Sequence, residues 1–296
     1  MSINKYLSPD IISNISSLSL KARLLVEGLI VGMHKSPYHG FSVEFSEHRS
    51  YNPGDEIRNI DWKIWGKTDK YFVKEYEEET NLLSHIILDQ SSSMSYSSTS
   101  ITKLEYAKTL AASLAYLMLK QQDGVGLTLF DSKIRAHIAP KSKSNHINSL
   151  FKVMEESIPG PDTKIGDILH LSAESIKKKG LVIIISDFLD DFESIISGIK
   201  HYRYKGHEVI LFHIIDDQEL NLNFDERIEF IDLETNETIV TDPWHIKDDY
   251  QAGVKQFCNN LKVNCRKNKV DYTLLNTNQP IEEALFDYLL KRRKIR

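Results

Sequence analysis

Apolar residues recur at helical spacing in Leu20, Ala22, Leu24, Leu25, Leu29 and Ile30, and the pattern breaks at His34-Lys35-Ser36-Pro37, which predicts an amphipathic helix near the start of the chain. From Gly40 to Glu79 the reading turns extended and turn-rich. Phe41-Ser42-Val43-Glu44-Phe45 alternates apolar with polar, Asn52-Pro53-Gly54-Asp55 is a strong turn signal, and Tyr71-Phe72-Val73-Lys74-Glu75-Tyr76 reads as a strand. Residues 1–82 are therefore expected to form a leading helix and a small β-rich module.

From Leu83 the rhythm changes to short apolar runs separated by helical patterns. Strands are expected at Ile86 to Leu88, Val125 to Phe130, Ile134 to Ile138, Leu181 to Ile185, Val209 to Ile215 and Tyr272 to Leu275, with a hairpin from Ile228 to Val240. Helices are expected from Leu104 to Leu119, His146 to Glu155, Ile165 to Lys178, Phe192 to Tyr204, His245 to Arg266 and Ile281 to Arg292. The run Leu181-Val182-Ile183-Ile184-Ile185 has no polar alternation, as in a strand covered on both faces. Alternating strands and helices predict an α/β domain over 83–296 with a doubly wound, mostly parallel sheet of Rossmann-like type.

Composition narrows the functional classes. The 296 residues are 41% hydrophobic and 27% charged, an ordinary globular balance. The net charge of −5 provides no positive field for phosphate backbones, so nucleic acid is not an expected partner. No apolar run approaches a transmembrane length, and the first residues do not read as a signal peptide, so a cytoplasmic location is expected. The two cysteines, Cys258 and Cys265, make neither a zinc pattern nor a disulfide framework.

The candidate chemistry lies where strands end. Leu88-Asp89-Gln90-Ser91-Ser92-Ser93 places a carboxylate and two hydroxyls at alternate positions where the first buried strand runs into a loop. Asp187, in Ser186-Asp187, comes just after the strand expected at Leu181 to Ile185, and Thr163 lies in the turn ahead of the helix from Ile165. In a doubly wound sheet such loops line the ligand crevice, and small hard oxygens at that place suit Mg²⁺, with Mn²⁺ or Ca²⁺ as alternatives. The same residues would also serve a plainer purpose: Asp89, Ser91 and Ser93 as caps of a polar turn, Thr163 as a helix cap, and Asp187 as a helix-start carboxylate.

In its order Asp-x-Ser-x-Ser, Thr, Asp, this set resembles the metal-ion-dependent adhesion site of von Willebrand factor type A domains. The resemblance implies that Ser91, Ser93 and Thr163 bind Mg²⁺ directly, that Asp89 and Asp187 support it directly or through water, and that a partner's carboxylate completes the shell. A second segment, Arg49-Ser50-Tyr51-Asn52-Pro53-Gly54-Asp55-Glu56-Ile57-Arg58-Asn59-Ile60-Asp61-Trp62, resembles the signature of the bacterial domain-of-unknown-function family 58, in which it precedes a von Willebrand type A domain. That resemblance implies an adaptor or chaperone-like role beside a MoxR-type AAA+ ATPase. Many members carry membrane spans ahead of the signature, and this sequence shows none.

Within the signature, Gly54 is expected to supply a special backbone conformation. Asp55, Arg58 and Asp61 are expected to form charge-assisted pairs that pin the module, and Arg49, Tyr51 and Trp62 complete it, with Trp62 and Trp65 as core or interface anchors. No phosphate-binding loop, zinc-protease helix or nucleophile elbow is present. The expectation is a non-enzymatic, metal-dependent protein-binding protein. The rival is a Mg²⁺-dependent phosphohydrolase built on Asp89 and Asp187.

Overall fold

Six of the apolar runs assemble side by side into one sheet. The computed structural model describes residues 15–34, 48–50, 65–66, 71–74, 82–160, 164–224, 226–231 and 238–295. By its contacts the chain divides into a unit of Met33–Asn81 and a unit of Met1–Gly32 with Leu82–Arg296.

In the smaller unit, β1 (His48–Ser50) pairs antiparallel with β2 (Phe72–Lys74), and Trp65 stacks on Tyr71 with ring centroids 6.1 Å apart. Both rings are exposed, at 38% and 48%, so Trp65 is a surface aromatic and not a core anchor. Of the signature, Arg49 lies in β1, its backbone opposite Val73. Tyr51, Gly54, Asp55, Arg58, Asp61 and Trp62 lie outside the described residues.

The larger unit begins with α1 (Leu18–His34), all but its last two residues. The Leu18 N–H donates to Glu155 Oε1 at 3.1 Å, and the Tyr116 hydroxyl donates to Glu27 at 3.3 Å. The leading helix thus packs on the α/β part, whereas the sequence grouped it with the β-rich module. Then follow β3 (Leu83–Asp89), a 3₁₀ turn (Ser92–Ser95), α2 (Lys103–Lys120), β4 (Gly124–Phe130), β5 (Ile134–Lys141), α3 (His146–Glu155) and α4 (Ile165–Ser175). The chain continues through β6 (Leu181–Ser186), α5 (Phe192–Tyr204), β7 (Glu208–Ile215), α6 (Asp217–Asn221), β8 (Ile228–Ile231), β9 (Thr238–Thr241), α7 (Pro243–Lys267), β10 (Asp271–Asn276) and α8 (Ile281–Ile295).

The sheet order is β10-β7-β6-β3-β4-β5, parallel throughout except β5, which runs antiparallel to β4. This is the doubly wound, mostly parallel α/β architecture that the alternation of runs predicts. The winding goes from β3 to β4 on one side and from β6 to β7 on the other, so the topological switch point lies between β3 and β6, where their carboxyl ends open a crevice.

Strands β4 and β6 are buried from end to end, as continuous apolar runs require. Edge strand β5 alternates half-buried with exposed positions, because only one of its faces is covered. On one side of the sheet Ile87, Val182, Ile184, Val209 and Leu211 meet Ile168 and Leu169 of α4, Ile195 and Ile199 of α5 and Leu261 of α7. On the other side lies α2, whose Ala107, Ala111, Ala112 and Ala115 are fully buried, small side chains that bring a helix close to its neighbours. It starts at a capping box: Thr102 Oγ1 accepts from the Glu105 N–H at 3.1 Å, and Glu105 Oε2 accepts from the Thr102 N–H at 3.2 Å.

Candidate functional site

The register of the sheet places the candidate residues. Leu88 pairs with Ile185 and Ser186 with His213, so Asp89, Ser186 and His213 form one row across the carboxyl ends of β3, β6 and β7. The Ser186 hydroxyl donates to Asp89 Oδ2 at 2.7 Å, and the Ser91 N–H donates to Asp89 Oδ1 at 2.8 Å. Asp89 therefore has both oxygens engaged and is fully buried. Ser91 Oγ lies 3.0 Å from Ser93 Oγ, and Ser93 is among the neighbours that favour the charged form of Asp187. Four of the five expected ligands, Asp89, Ser91, Ser93 and Asp187, are thus brought together. The fifth, Thr163, lies outside the described residues.

The capping alternatives divide. Asp89 does accept a backbone N–H two residues on, as a polar turn would have it. Asp187 is not the cap of α5: that part belongs to Asp191, whose Oδ2 accepts from the Ser194 N–H at 2.8 Å. Asp190 takes the first N–H of α4, that of Ile165, at 2.6 Å.

Asp187 instead meets Lys103. The ammonium donates to Asp187 Oδ2 at 2.9 Å and to Glu219 Oε1 at 2.5 Å, and the lysine is fully buried. Burial works against charge on Asp187, yet the adjacent Lys103 outweighs it and holds the carboxyl below its ordinary value. Burial likewise opposes charge on Lys103, and the two carboxylates reverse the balance and raise its pKa. Glu219 goes the other way, burial raising it against the pull of Lys103. Asp89 has the Asp187 charge as neighbour; burial, and then that charge, push its carboxyl well above the usual range.

Several residues of this site were not nominated by the sequence. Lys103 stands at the start of α2 just after its Thr102 cap, and its neighbours in the chain give no sign that it is buried. Asp216, fully buried, follows β7 as Asp187 follows β6; its Oδ2 accepts from the Ser98 N–H at 3.0 Å, and its Oδ1 from the Gln218 N–H at 2.9 Å. Asp216 thus stands at a strand end as Asp187 does, directly after an apolar run. Phe188 carried no signal at all. It is fully buried with φ of +54°, a left-handed conformation uncommon for a bulky residue, and its N–H donates to Ser186 Oγ at 2.9 Å. Strain of this kind gathers where the surrounding packing over-determines the backbone, often at functional sites.

Beside the carboxylates opens a largely apolar cavity of about 660 Å³, lined among others by Asp187, His213, Glu219, Tyr250, Phe257 and Cys258. His213 is pushed down to about 4 by burial, so it faces this space as a neutral ring, its Nδ1 2.8 Å from the Tyr272 hydroxyl. Cys258 and Cys265 are both buried and unbridged. Among the described residues, no group of three or more His, Cys, Asp or Glu side chains is arranged to hold a metal ion, so a metal here would depend on the serine hydroxyls. Among the same residues, no helix is long and apolar enough to cross a membrane.

Comparison with known proteins agrees with this architecture. BatB, a conserved hypothetical protein from Bacteroides thetaiotaomicron, superposes with a TM-score of 0.50 over 72% of this chain and 99% of its own, at 18% identity. An aerotolerance-related membrane protein from Bacteroides fragilis superposes with the same TM-score over 71% of this chain and 99% of its own, at 17% identity. At such identities the likeness is one of fold. In sequence, uncharacterised proteins from Mycobacterium bovis and Mycobacterium tuberculosis are 22% identical over 220 residues, covering 72% of this chain and 68% of theirs. Residues 47–257, which hold the signature segment and the strand-end carboxylates, match the family described as protein of unknown function DUF58, and the chain belongs to that family.

Proposed function

We propose that this protein is a metal-dependent binding adaptor in which Ser91 and Ser93, with Asp89, Asp187 and Thr163, hold Mg²⁺ at the switch point of the sheet. Mn²⁺ and Ca²⁺ are the other candidate ions. The observation that carries the reading is the convergence there of two buried carboxylates with two hydroxyls 3.0 Å apart. The donor set suits a hard cation in kind, since all its atoms are oxygens. Charge supports it too: Lys103 serves Asp187 and Glu219, while Asp89, next to the Asp187 charge, gains most from a further positive charge. Ser92 Oγ and Gln90 Oε1, flanking Ser91 in the chain, are buried without a hydrogen-bond partner, polar capacity that hydration around an ion would use.

When bound, the ion would offer a partner's Asp or Glu a coordination position, and the apolar cavity beside Asp187 would take adjoining apolar side chains. Family resemblance makes a MoxR-type AAA+ ATPase, or a protein it remodels, the partner of choice, and the cytoplasm is the proposed place of work. One structural neighbour is named a membrane protein, and fractionation of native cells decides between a cytosolic and a membrane-bound pool. Binding is favoured over phosphohydrolysis because Asp89 is inaccessible and has both oxygens occupied, a poor position for a nucleophile.

The test begins with the purified chain and Mg²⁺ alone. At a concentration 100 times its dissociation constant Mg²⁺ should stabilise the fold by about 2.7 kcal/mol, a gain absent from Ser91→Ala/Ser93→Ala although that variant's metal-free melting is unchanged. A purified MoxR-type ATPase should be retained by the wild type in Mg²⁺ and released by EDTA. An equal Mg²⁺ response in the double variant would sink the metal reading, and turnover of a generic phosphoester in Mg²⁺ would favour the rival.

A further inference from the structure

Helices α4 and α5 approach unusually closely. A Cβ on Gly166 would lie 2.5 Å from Ser194 Cβ, and one on Gly198 would lie 2.6 Å from Leu169 Cβ, so glycine on both helices permits the contact. One turn beyond each glycine stand His170 and His201, whose Nδ1 atoms are 2.9 Å apart, with ring centroids separated by 5.1 Å and tilted at 44°.

The far nitrogen of each ring is also held. His201 Nε2 lies 2.9 Å from Glu174 Oε1, and His170 Nε2 lies 3.2 Å from Ser197 Oγ. Lys205 Nζ anchors the other Glu174 oxygen at 3.0 Å. An ionised carboxylate only accepts, so His201 Nε2 carries a hydrogen, and in the neutral ring its Nδ1 is a bare lone pair. Two such lone pairs cannot face each other at 2.9 Å without a cation or a proton between them. In the metal-free chain His170 provides that proton from Nδ1, while Ser197 donates to its Nε2.

We infer that His170 and His201 form a transition-metal site, separate from the strand-end carboxylates, that takes Cu²⁺ or Ni²⁺ on its two Nδ1 atoms with water filling the remaining positions. Coordination requires only that the single His170 proton move from Nδ1 to Nε2, where Ser197 Oγ turns to accept it; no net proton is lost. Ligands about 2.05 Å from one ion are about 2.9 Å apart at a right angle and about 3.3 Å apart at a tetrahedral one. The observed separation therefore matches the square or tetragonal geometry of Cu²⁺ and Ni²⁺, and Zn²⁺ requires the pair to open. Glu174 and Ser197 stand where the outer partners of metal-bound imidazoles stand, fixing tautomer and ring orientation. Imidazole nitrogen is a poor ligand for Mg²⁺, so the two sites should not compete.

The experiment uses the full chain, free of any affinity tag and stripped of metal, titrated with Cu²⁺ and with Ni²⁺ by calorimetry and, for Cu²⁺, electron paramagnetic resonance. The first equivalent of Cu²⁺ should show coupling to two imidazole nitrogens. His170→Ala and His201→Ala should each weaken it at least 100-fold, Glu174→Gln should weaken it 10- to 100-fold, and Ser91→Ala/Ser93→Ala should leave it unchanged. Circular dichroism verifies folding, and should an alanine variant unfold, His170→Asn, polar but without imidazole, replaces it. The chain has 11 histidines, so the decisive comparison is with His170→Ala/His201→Ala. If that folded variant binds the first equivalent as tightly as the wild type, or if the wild type binds none, the inference is overturned.

Discussion

An ammonium buried beside a carboxylate is stable only while both partners are present. Lys103, inaccessible at the head of α2, holds Asp187 on one side and Glu219 on the other. Lys103→Met leaves two carboxylates in low dielectric without their cation and should destabilise the fold by about 3–5 kcal/mol, read as a lower midpoint in urea. Adding Asp187→Asn and Glu219→Gln should return most of the loss, because the penalty belongs to the uncompensated charge and not to the missing bond. If Lys103→Met alone unfolds at the wild-type midpoint, the pair is not holding this site. Of the two carboxylates, Asp187 was legible, standing one residue past an apolar run, and Glu219 was not. Nor was the lysine: Lys103 and Asp187 are separated by 84 positions, and nothing local reveals which strand end the head of α2 will face.

Elements were legible where their period was long or their apolar content unbroken. Strand β6 and helices α2, α5 and α7 lie where the spacing predicts them, with ends differing by a residue or two. Predicted to run to Lys178, α4 stops at Ser175, and the short α6 was not predicted, because five residues carry no period. The antiparallel direction of β5 was also hidden, since alternation reports a covered and an open face but not the sense of the chain. At this scale the α4–α5 crossing makes a sharp prediction. Gly198→Val places a branched side chain against Leu169 and should destabilise the protein by about 1–3 kcal/mol while parting His170 from His201, so thermal stability and Cu²⁺ affinity should fall together. The cap of α2 is simpler: Thr102→Ala removes the acceptor for the Glu105 N–H and should cost about 1 kcal/mol in denaturant unfolding.

For the molecule as a whole, acid tests the buried face of the sheet. His85 on β3 is pushed down to about 4, first by burial and then by His207 and His137 nearby, while in the unfolded chain it titrates near its ordinary value of 6.5. Between those values the unfolded state binds more protons, so this residue's contribution to stability is intact above about pH 6.5 and lost as pH falls through about 4. Asp89, raised by burial, acts in the opposite sense over the range above its unfolded value, so total stability need not follow His85. The informative quantity is the difference between wild type and His85→Phe. The variant should gain on the wild type by up to roughly 3 kcal/mol between pH 6.5 and 4, and a constant difference would show that His85 does not titrate as its burial demands.

The order of apolar runs and helical periods determined by itself that this chain builds a doubly wound α/β sheet, and the position of Asp89, Ser91, Ser93 and Asp187 just past buried strands marked the crevice. Those are local properties: burial on two faces writes itself into consecutive residues, and a strand end is where such a run stops. Tertiary structure alone decided the partners. Strand order made β3 and β6 neighbours and joined Asp89 to Ser186; the placing of α2 brought Lys103 to Asp187 and Glu219; the close crossing of α4 and α5 set His170 against His201. Each of these pairs is made by packing between segments far apart in the chain, where spacing along the sequence carries no record of distance in space.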